Sequence, residues 1–309
     1  MSSEQSNFRT GAELMALVRS RAVRKSAGVD GTQSAYWVYE ASTNDPAKAI
    51  NVVILHGYRG DHNGLEALAG ALSDFNVYSP DLPGFGQSEP FEAKTHNLEN
   101  YSQWFTSFVR GLGLSQPPFL LGHSYGSTVV ASATANGLAA SGVILINPVV
   151  DGVLSGSNRF LTAVMMVYYE IAAKLPKDAG LAMLKWKTMV SSMSAVTTKS
   201  KDKAIRRWID EQHQQHFNSF ANTEVVLESY RSSTSTSIAT FAKSIDVPVL
   251  LVPSDRDEVT PHQKVFAIAK EFKRSQVYLV PNCGHLVHYE AADATMARVT
   301  EFINGASGK

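Results

Sequence analysis

The sequence predicts an α/β protein whose central sheet is mostly parallel, with helices on both faces. Short apolar runs rich in β-branched residues, such as Asn51–Leu55 and Gly142–Ile146, have the length of strands buried on both sides. Helical stretches alternate with them through the first half of the chain. The alternation stops between Asp151 and Ser244 and resumes at Val247–Val252. This order is typical of a parallel sheet connected by crossover helices.

The individual elements follow in chain order. A hairpin opens the chain, with strands at Leu17–Ser26 and Ser34–Ala41 and turn residues Gly28, Asp30 and Gly31 between them. The elements expected after the strand Asn51–Leu55 are a helix near Asn63–Asp74, a strand at Val77–Ser79, a helix at Leu98–Gly111, a strand at Pro118–Leu121, a helix at Ser124–Asn136 and the strand Gly142–Ile146. A strand at Gln276–Val280 and a helix at Ala291–Ile303 close the fold.

The break in the alternation of strands and helices divides the chain into three segments. We predict a core in two parts, residues 1–150 and 246–309, with a helical insertion at residues 151–245. The insertion has a composition of its own, with Ser- and Thr-rich patches and several methionines: Met165, Met166, Met183, Met189 and Met193.

Bulk composition limits the kinds of partner. The chain has 309 residues, is 44% hydrophobic, and balances 28 Lys and Arg against 28 Asp and Glu. This balance gives no electrostatic reason to expect a nucleic acid or an anionic membrane as partner. A single cysteine, Cys283, excludes an intramolecular disulfide, and nothing near the N-terminus resembles a signal peptide. We expect a soluble, cytoplasmic monomer or homodimer that acts on a small molecule.

A candidate nucleophile lies at Ser124. It stands in the segment Gly122-His123-Ser124-Tyr125-Gly126, which fits G-x-S-x-G and lies between a predicted strand and a predicted helix. A serine on so sharp a turn needs glycines two residues away on each side, because those positions approach each other closely. The turn would lift the Ser124 hydroxyl above the sheet edge. It would also place the Tyr125 N–H at a helix N-terminus, where it can donate to an oxyanion.

A second loop, His56-Gly57-Tyr58, directly follows the strand Asn51–Leu55. Gly57 would let the backbone approach the substrate, and the Tyr58 N–H would be the second oxyanion donor. We expect His56 to pack and form hydrogen bonds, since one base suffices for the chemistry.

A serine hydroxyl needs a base, and His285 is the best-placed candidate because it follows the last strand at the same sheet edge as Ser124. His213 and His216 are expected on a solvated helix face, and His288 is expected to support the His285 loop.

The base needs a carboxylate in turn, which fixes its tautomer and stabilises its charged form. The loop after Val247–Val252 holds three acids, and the order of the residues does not choose between Asp255 and Asp257. Asp151, after the strand Gly142–Ile146, is a third candidate.

Taken together, the motifs resemble the α/β-hydrolase superfamily from about Val23 to Phe302, apart from the insertion. The resemblance rests on four segments: His56-Gly57-Tyr58-Arg59-Gly60, Asp81-Leu82-Pro83-Gly84-Phe85-Gly86-Gln87-Ser88, Gly122-His123-Ser124-Tyr125-Gly126 and Gly284-His285. It implies an α/β-hydrolase fold with an inserted helical cap, and a structural rather than chemical role for Asp81 and Ser88. In the family's acid loop the triad residue is the Asp two positions before a Val, which here selects Asp257.

The resemblance also implies an activity. Epoxide hydrolases and haloalkane dehalogenases of this fold use an aspartate where this chain has Ser124, so the chain resembles a carboxylesterase-like serine hydrolase. Two alternatives remain open: a carbon–carbon bond hydrolase of a vinylogous diketone acid, and a ligand-binding protein with little turnover. No metal or organic cofactor is implied, because the sequence has no H-E-x-x-H, cysteine cluster or Gly-rich phosphate loop.

Candidate substrate contacts lie on both sides of the expected pocket. Met165, Tyr168 and Trp186 in the insertion could line an apolar pocket, although packing within the insertion explains them equally well. Beside Gly57, Arg59 could meet a substrate carboxylate or form a structural ion pair with Asp61.

Overall fold

A computed structural model describes residues 8–150 and 159–308 of the chain. It confirms the α/β prediction with one sheet of eight strands in the order β1-β2-β4-β3-β5-β6-β7-β8. The strands are β1 Ala22–Val29, β2 Thr32–Tyr39, β3 Asn51–Leu55, β4 Asn76–Pro80, β5 Phe119–His123, β6 Gly142–Ile146, β7 Val249–Val252 and β8 Ser275–Val277. β2 pairs antiparallel with both β1 and β4, and the pairs from β4 through β8 are parallel.

Helices cover both faces of the sheet. They are α1 Gly11–Arg19, α2 His62–Ala71, α3 Leu98–Gly111, α4 Tyr125–Ala135, α5 Arg159–Lys174, α6 Lys177–Leu184, α7 Lys187–Thr197, α8 Lys203–His216, α9 Thr223–Ser235, α10 His262–Ala269, α11 Val287–Glu290 and α12 Ala292–Ala306. One apolar core joins the sheet to α3, α4 and α10 around Trp104, and the other joins it to α1, α2 and α12 around Trp37. Within the described ranges, no helix combines the length and apolarity needed to cross a membrane.

The start of the chain differs from the prediction. Leu17 and the two residues after it belong to α1, and β1 begins only at Ala22. Thr10 and Glu13 form a capping box, while Leu14 and Val18 are buried at helical spacing. These signals favour a helix over an extended segment. The hairpin itself is present, with Asp30 and Gly31 at φ values of 49° and 83°, as a two-residue turn requires.

The end of the chain also differs from the prediction. β8 covers only Ser275–Val277, and Val280 forms an isolated bridge to Ser254 instead of continuing the strand. Helices α10 and α11 follow β7 and the His285 loop, where the sequence pattern predicted no element. α11 is too short, at 4 residues, for an apolar period to be visible.

Helices α5 to α9 lie between β6 and β7 and are called the insertion helices below. The connection between α8 and α9 pairs with the loop after β4: the Gly86 N–H donates to the Ser219 carbonyl at 2.7 Å, and the Ala221 N–H donates to the Gly84 carbonyl at 2.9 Å. On α9, Ser232 accepts from the Leu98 N–H at 2.8 Å. The insertion helices therefore contact loops at the carboxyl ends of the parallel strands. On the far side, Trp208 of α8 packs against Gly11 of α1 and the ring of Tyr289.

Candidate active site

Ser124 lies on a strained turn between β5 and α4. Its φ of 52° and ψ of −122° belong to a region that a residue with a side chain rarely adopts. A Cβ on Gly122 would lie 2.5 Å from the Gly126 carbonyl oxygen, and a Cβ on Gly126 would lie 2.5 Å from the Leu55 carbonyl oxygen. The turn can therefore form only with glycine at these two positions, and it projects Ser124 from the end of β5.

The structure brings Ser124, His285 and Asp257 together. The Ser124 Oγ lies 2.9 Å from Nε2 of His285, and Nδ1 of His285 lies 2.8 Å from Oδ2 of Asp257. Because a carboxylate only accepts, Nδ1 carries the proton and Nε2 is free to accept the serine hydroxyl proton. Ser124 and His285 are partly exposed, whereas Asp257 is buried.

Asp257 is held as an anion despite its burial. Burial alone would raise the pKa of its carboxyl, but His285 and the hydrogen bonds of Thr260 outweigh that effect, so the pKa lies below its ordinary value. Oδ1 accepts the backbone N–H groups of Val259 at 2.8 Å and Thr260 at 3.1 Å. The group facing the imidazole is therefore ionised at neutral pH, as is needed to stabilise an imidazolium.

The other two acids of the same loop contact other residues. Asp255 accepts the Cys283 N–H at 3.2 Å, and Glu258 pairs with the Lys199 ammonium at 2.7 Å. Asp151 lies outside the described residues.

The loop after β3 runs against Ser124. A Cβ on Gly57 would come within 3.0 Å of both the His123 carbonyl oxygen and the Ser124 Cβ. The loop then turns, with the Gly60 N–H donating to the Gly57 carbonyl at 3.1 Å. The backbone at Tyr58 follows directly after this contact, and Tyr125 begins α4, where first-turn N–H groups have no partner within the helix.

Both side chains that follow Gly57 enter the insertion helices. The Tyr58 hydroxyl donates to the Val226 carbonyl at 3.2 Å. The buried Arg59 guanidinium donates to the Leu184 carbonyl at 3.1 Å and to Oδ1 of Asn218 at 2.8 Å, and it stacks over the Phe217 ring at 4.4 Å. The alternative of an ion pair between Arg59 and Asp61 is wrong, because Asp61 caps α2 through the Asn63 N–H.

Residues expected to be structural lie beside the site without facing it. His56 donates from Nδ1 to the Gly57 carbonyl at 2.8 Å and accepts the Leu82 N–H at Nε2 at 2.8 Å. Asp81 is fully buried and accepts the Gln87 N–H, and the Ser88 hydroxyl donates to the Asp81 carbonyl at 2.7 Å. These bonds join the loops after β3 and β4.

The remaining residues predicted to line the pocket or to face solvent differ in how exposed they are. Met165 is partly buried against the core, and the Tyr168 hydroxyl donates to the Met183 carbonyl at 2.6 Å. Trp186, which caps α7, is 61% exposed, so its predicted place in an enclosed pocket does not agree with the structure. The predicted solvated face is wrong for His213, which is buried against Phe217 and Tyr289.

Two residues near His285 were not predicted to contact it. The His285 carbonyl accepts from Nδ2 of Asn147 at 3.0 Å and from Nε2 of His123 at 3.0 Å. The sequence signal for Asn147 is slight: a single polar residue at the end of the apolar run Gly142–Ile146.

Comparison with known proteins identifies the family of the chain. A model of the alpha/beta hydrolase family matches residues 52–299. The hydrolase YugF of Bacillus subtilis (strain 168) is 24% identical over 282 residues, covering 89% of this chain and 96% of that protein. Similar solved structures include a thermophilic esterase from Thermogutta terrifontis (TM-score 0.71, 20% identity, 92% of this chain and 99% of that one). Another is the enol-lactonase from Burkholderia xenovorans LB400 (TM-score 0.74, 17% identity, 91% and 100%). The family model spans most of the chain, and the chain belongs to the alpha/beta hydrolase family.

Proposed function

We propose that the protein is a serine hydrolase that cleaves a small or medium carboxylic ester through an acyl-enzyme on Ser124. The observation that carries the proposal is the pair of hydrogen bonds from Ser124 to His285 and from His285 to Asp257, at 2.9 and 2.8 Å. A serine hydroxyl is a poor nucleophile until a positioned base takes its proton, and this arrangement supplies that base.

The reaction has two halves. The Ser124 oxygen attacks the ester carbonyl while Nε2 of His285 takes the hydroxyl proton, and the Tyr58 and Tyr125 N–H groups stabilise the oxyanion. Collapse of the tetrahedral intermediate breaks the bond to the alcohol, which leaves with the proton from His285. Water then attacks the acyl-enzyme with His285 as base again and releases the carboxylic acid and free Ser124.

In this proposal residues 151–245 act as a cap, flanked by core parts 1–150 and 246–309. The contacts of the insertion helices with the loops after β3 and β4 support it. Helices over the carboxyl edge exclude water from the reacting centre and determine which ester enters.

The test compares wild type with Ser124→Ala on a nitrophenyl ester series of increasing acyl length. We expect the variant to lose ester hydrolysis by about 10³-fold or more, because the nucleophile is gone. Intact mass after treatment with a fluorophosphonate should show one adduct on wild type and none on the variant. The acyl length with the highest kcat/KM would show how long an acyl chain the pocket accommodates.

Two results would count against the proposal. Labelling of Ser124 without turnover of any ester would favour a carbon–carbon bond hydrolase or a binding protein. Ester hydrolysis that survives in Ser124→Ala would show that another group is the nucleophile.

A further inference from the structure

We propose that Asn147 is a positioning residue for the catalytic base, holding the backbone of His285 so that its ring meets Ser124 and Asp257 together. The inference rests on the proposed function, which makes His285 the base.

Asn147 lies beside the ends of the two strands that lead to Ser124 and to the Asp257 loop. It directly follows β6, which lies between β5 and β7 in the sheet, and those neighbours lead to Ser124 and to the Asp257 loop. The Ser124 N–H donates to the Ile146 carbonyl at 2.9 Å, and the Asn147 N–H donates to the Val252 carbonyl at 2.9 Å. The backbone around Asn147 is therefore tied both to the nucleophile and to the strand that precedes the acid.

The Asn147 side chain reaches the third member of the site. Its Nδ2 donates to the Gly284 carbonyl at 3.2 Å and to the His285 carbonyl at 3.0 Å. Its Oδ1 accepts the Ser254 hydroxyl at 2.8 Å, which fixes which end of the amide faces the histidine loop. The residue is fully buried and has a φ of 42°, a left-handed value that asparagine tolerates better than most residues.

The His285 loop needs this support because it has no strand ladder of its own. β8 ends at Val277 and α11 begins at Val287, so His285 lies in irregular chain between them. Catalysis by a general base requires heavy-atom placement at hydrogen-bond distance, and a displacement of about 1 Å can cost about 10²-fold in rate. Two donors on the His285 carbonyl, from Asn147 and His123, fix the base at its backbone.

The experiment compares two asparagines of like conformation. Asn147→Gly removes the side chain where glycine accepts the left-handed backbone without strain. Asn282→Gly is the matched control, because Asn282 also has a left-handed φ of 58° and precedes His285 in the same loop, but its exposed side chain bonds Arg256 at 2.6 Å instead. For each variant we would measure kcat and KM on an ester, the rate of fluorophosphonate labelling, the melting temperature, and the downfield ¹H NMR signal of the proton between His285 and Asp257.

We expect Asn147→Gly to lower kcat and the labelling rate by about 10- to 100-fold, with KM changed by less than about two-fold, because the base is misplaced while the substrate pocket is intact. The downfield proton signal should broaden or shift. Asn282→Gly should stay within about two-fold of wild type in every rate. Ser254→Ala, which removes the hydroxyl that the Asn147 Oδ1 accepts but leaves the two Nδ2 donors to the histidine loop in place, should give a smaller loss of the same kind.

The proposal is overturned if folded Asn147→Gly keeps the wild-type kcat and proton signal and loses only melting temperature, since that is a purely structural role. If Asn147→Gly does not fold, an unchanged kcat in Ser254→Ala overturns it instead. Wild type that fluorophosphonate never labels would refute the proposed function. The NMR comparison needs no substrate and would still decide the role of Asn147.

Discussion

At the scale of single residues, Asp257 and Asp255 offer a direct comparison, because they stand two positions apart and only Asp257 contacts His285. We expect Asp257→Asn to lower kcat on an ester by about 10³- to 10⁴-fold, because an amide can donate to Nδ1 and stabilises the wrong imidazole tautomer. Steady-state kinetics measure this. Asp255→Asn keeps an oxygen that can accept the Cys283 N–H, so its kcat should stay within a few-fold. Equal losses in the two variants would contradict the assignment of the acid.

The residues of the candidate site differ in how far sequence could identify them. Ser124 and His285 could be identified because glycines mark their motifs: Gly122 and Gly126 around Ser124, and Gly284 before His285. Among the acids, spacing left Asp255 and Asp257 equal, and only the resemblance to a family separated them. The contact of Asn147 with His285 joins residues 138 positions apart through one amide. No local pattern records such a contact, because it depends on the strand order of the finished sheet.

At the scale of elements, the side chains of Tyr58 and Arg59 connect the loop after β3 to the insertion helices. We expect Arg59→Met to destabilise the protein by about 1–3 kcal/mol, because the Leu184 carbonyl and the Asn218 amide oxygen lose a buried donor. The backbone beside Tyr58 should then shift and lower kcat. Thermal unfolding and limited proteolysis of the insertion helices measure the first effect, and ester kinetics measure the second.

Arg24→Met is the control for this change, since Arg24 is an exposed arginine on β1 that bonds only Gln87 in the described part of the chain. It should alter neither stability nor kcat appreciably. If Arg59→Met behaves like Arg24→Met, Arg59 does not anchor the insertion helices.

Elements with strong periodicity were predicted with accurate bounds. β3, α3 and β6 begin and end at the predicted residues, because each is an apolar run or an amphipathic helix bounded by turn residues. The prediction failed at Leu17, where a helix cap at Thr10 outweighs a strand-like composition. It also failed at α11, whose formation depends on packing of Val287 and Tyr289 rather than on any repeat.

At the scale of the whole molecule, buried histidines connect stability to pH. Behind the candidate site, the ring of His123 packs on His288 at 4.4 Å, and Tyr289 contacts both His288 and His213. Burial disfavours the imidazolium, lowering the pKa of His123 to about 3 and that of His213 to about 4, from an ordinary 6.5. Between each of these lowered values and 6.5, the histidine binds more protons in the unfolded chain than in the folded one, so the two histidines make stability fall as pH decreases below about 6.5.

We therefore expect the melting temperature to decrease steadily from pH 7 to pH 4.5, as measured by calorimetry across buffers of matched ionic strength. His213→Phe keeps an aromatic ring against Phe217 and Tyr289 but removes one titrating group. Its melting temperature should depend less steeply on pH over the same range. A slope equal to that of wild type would mean that burial of His213 does not contribute to the acid sensitivity.

The placement of the tryptophans has a spectroscopic consequence. Trp37 and Trp104 are buried on opposite faces of the sheet, whereas Trp186 is 61% exposed and Trp208 lies on α8 beside Tyr289. Emission from the first two should be blue-shifted and shielded from acrylamide, while Trp186 should emit at longer wavelength and be quenched. Fluorescence can thus follow the insertion helices and the sheet separately, with no label attached.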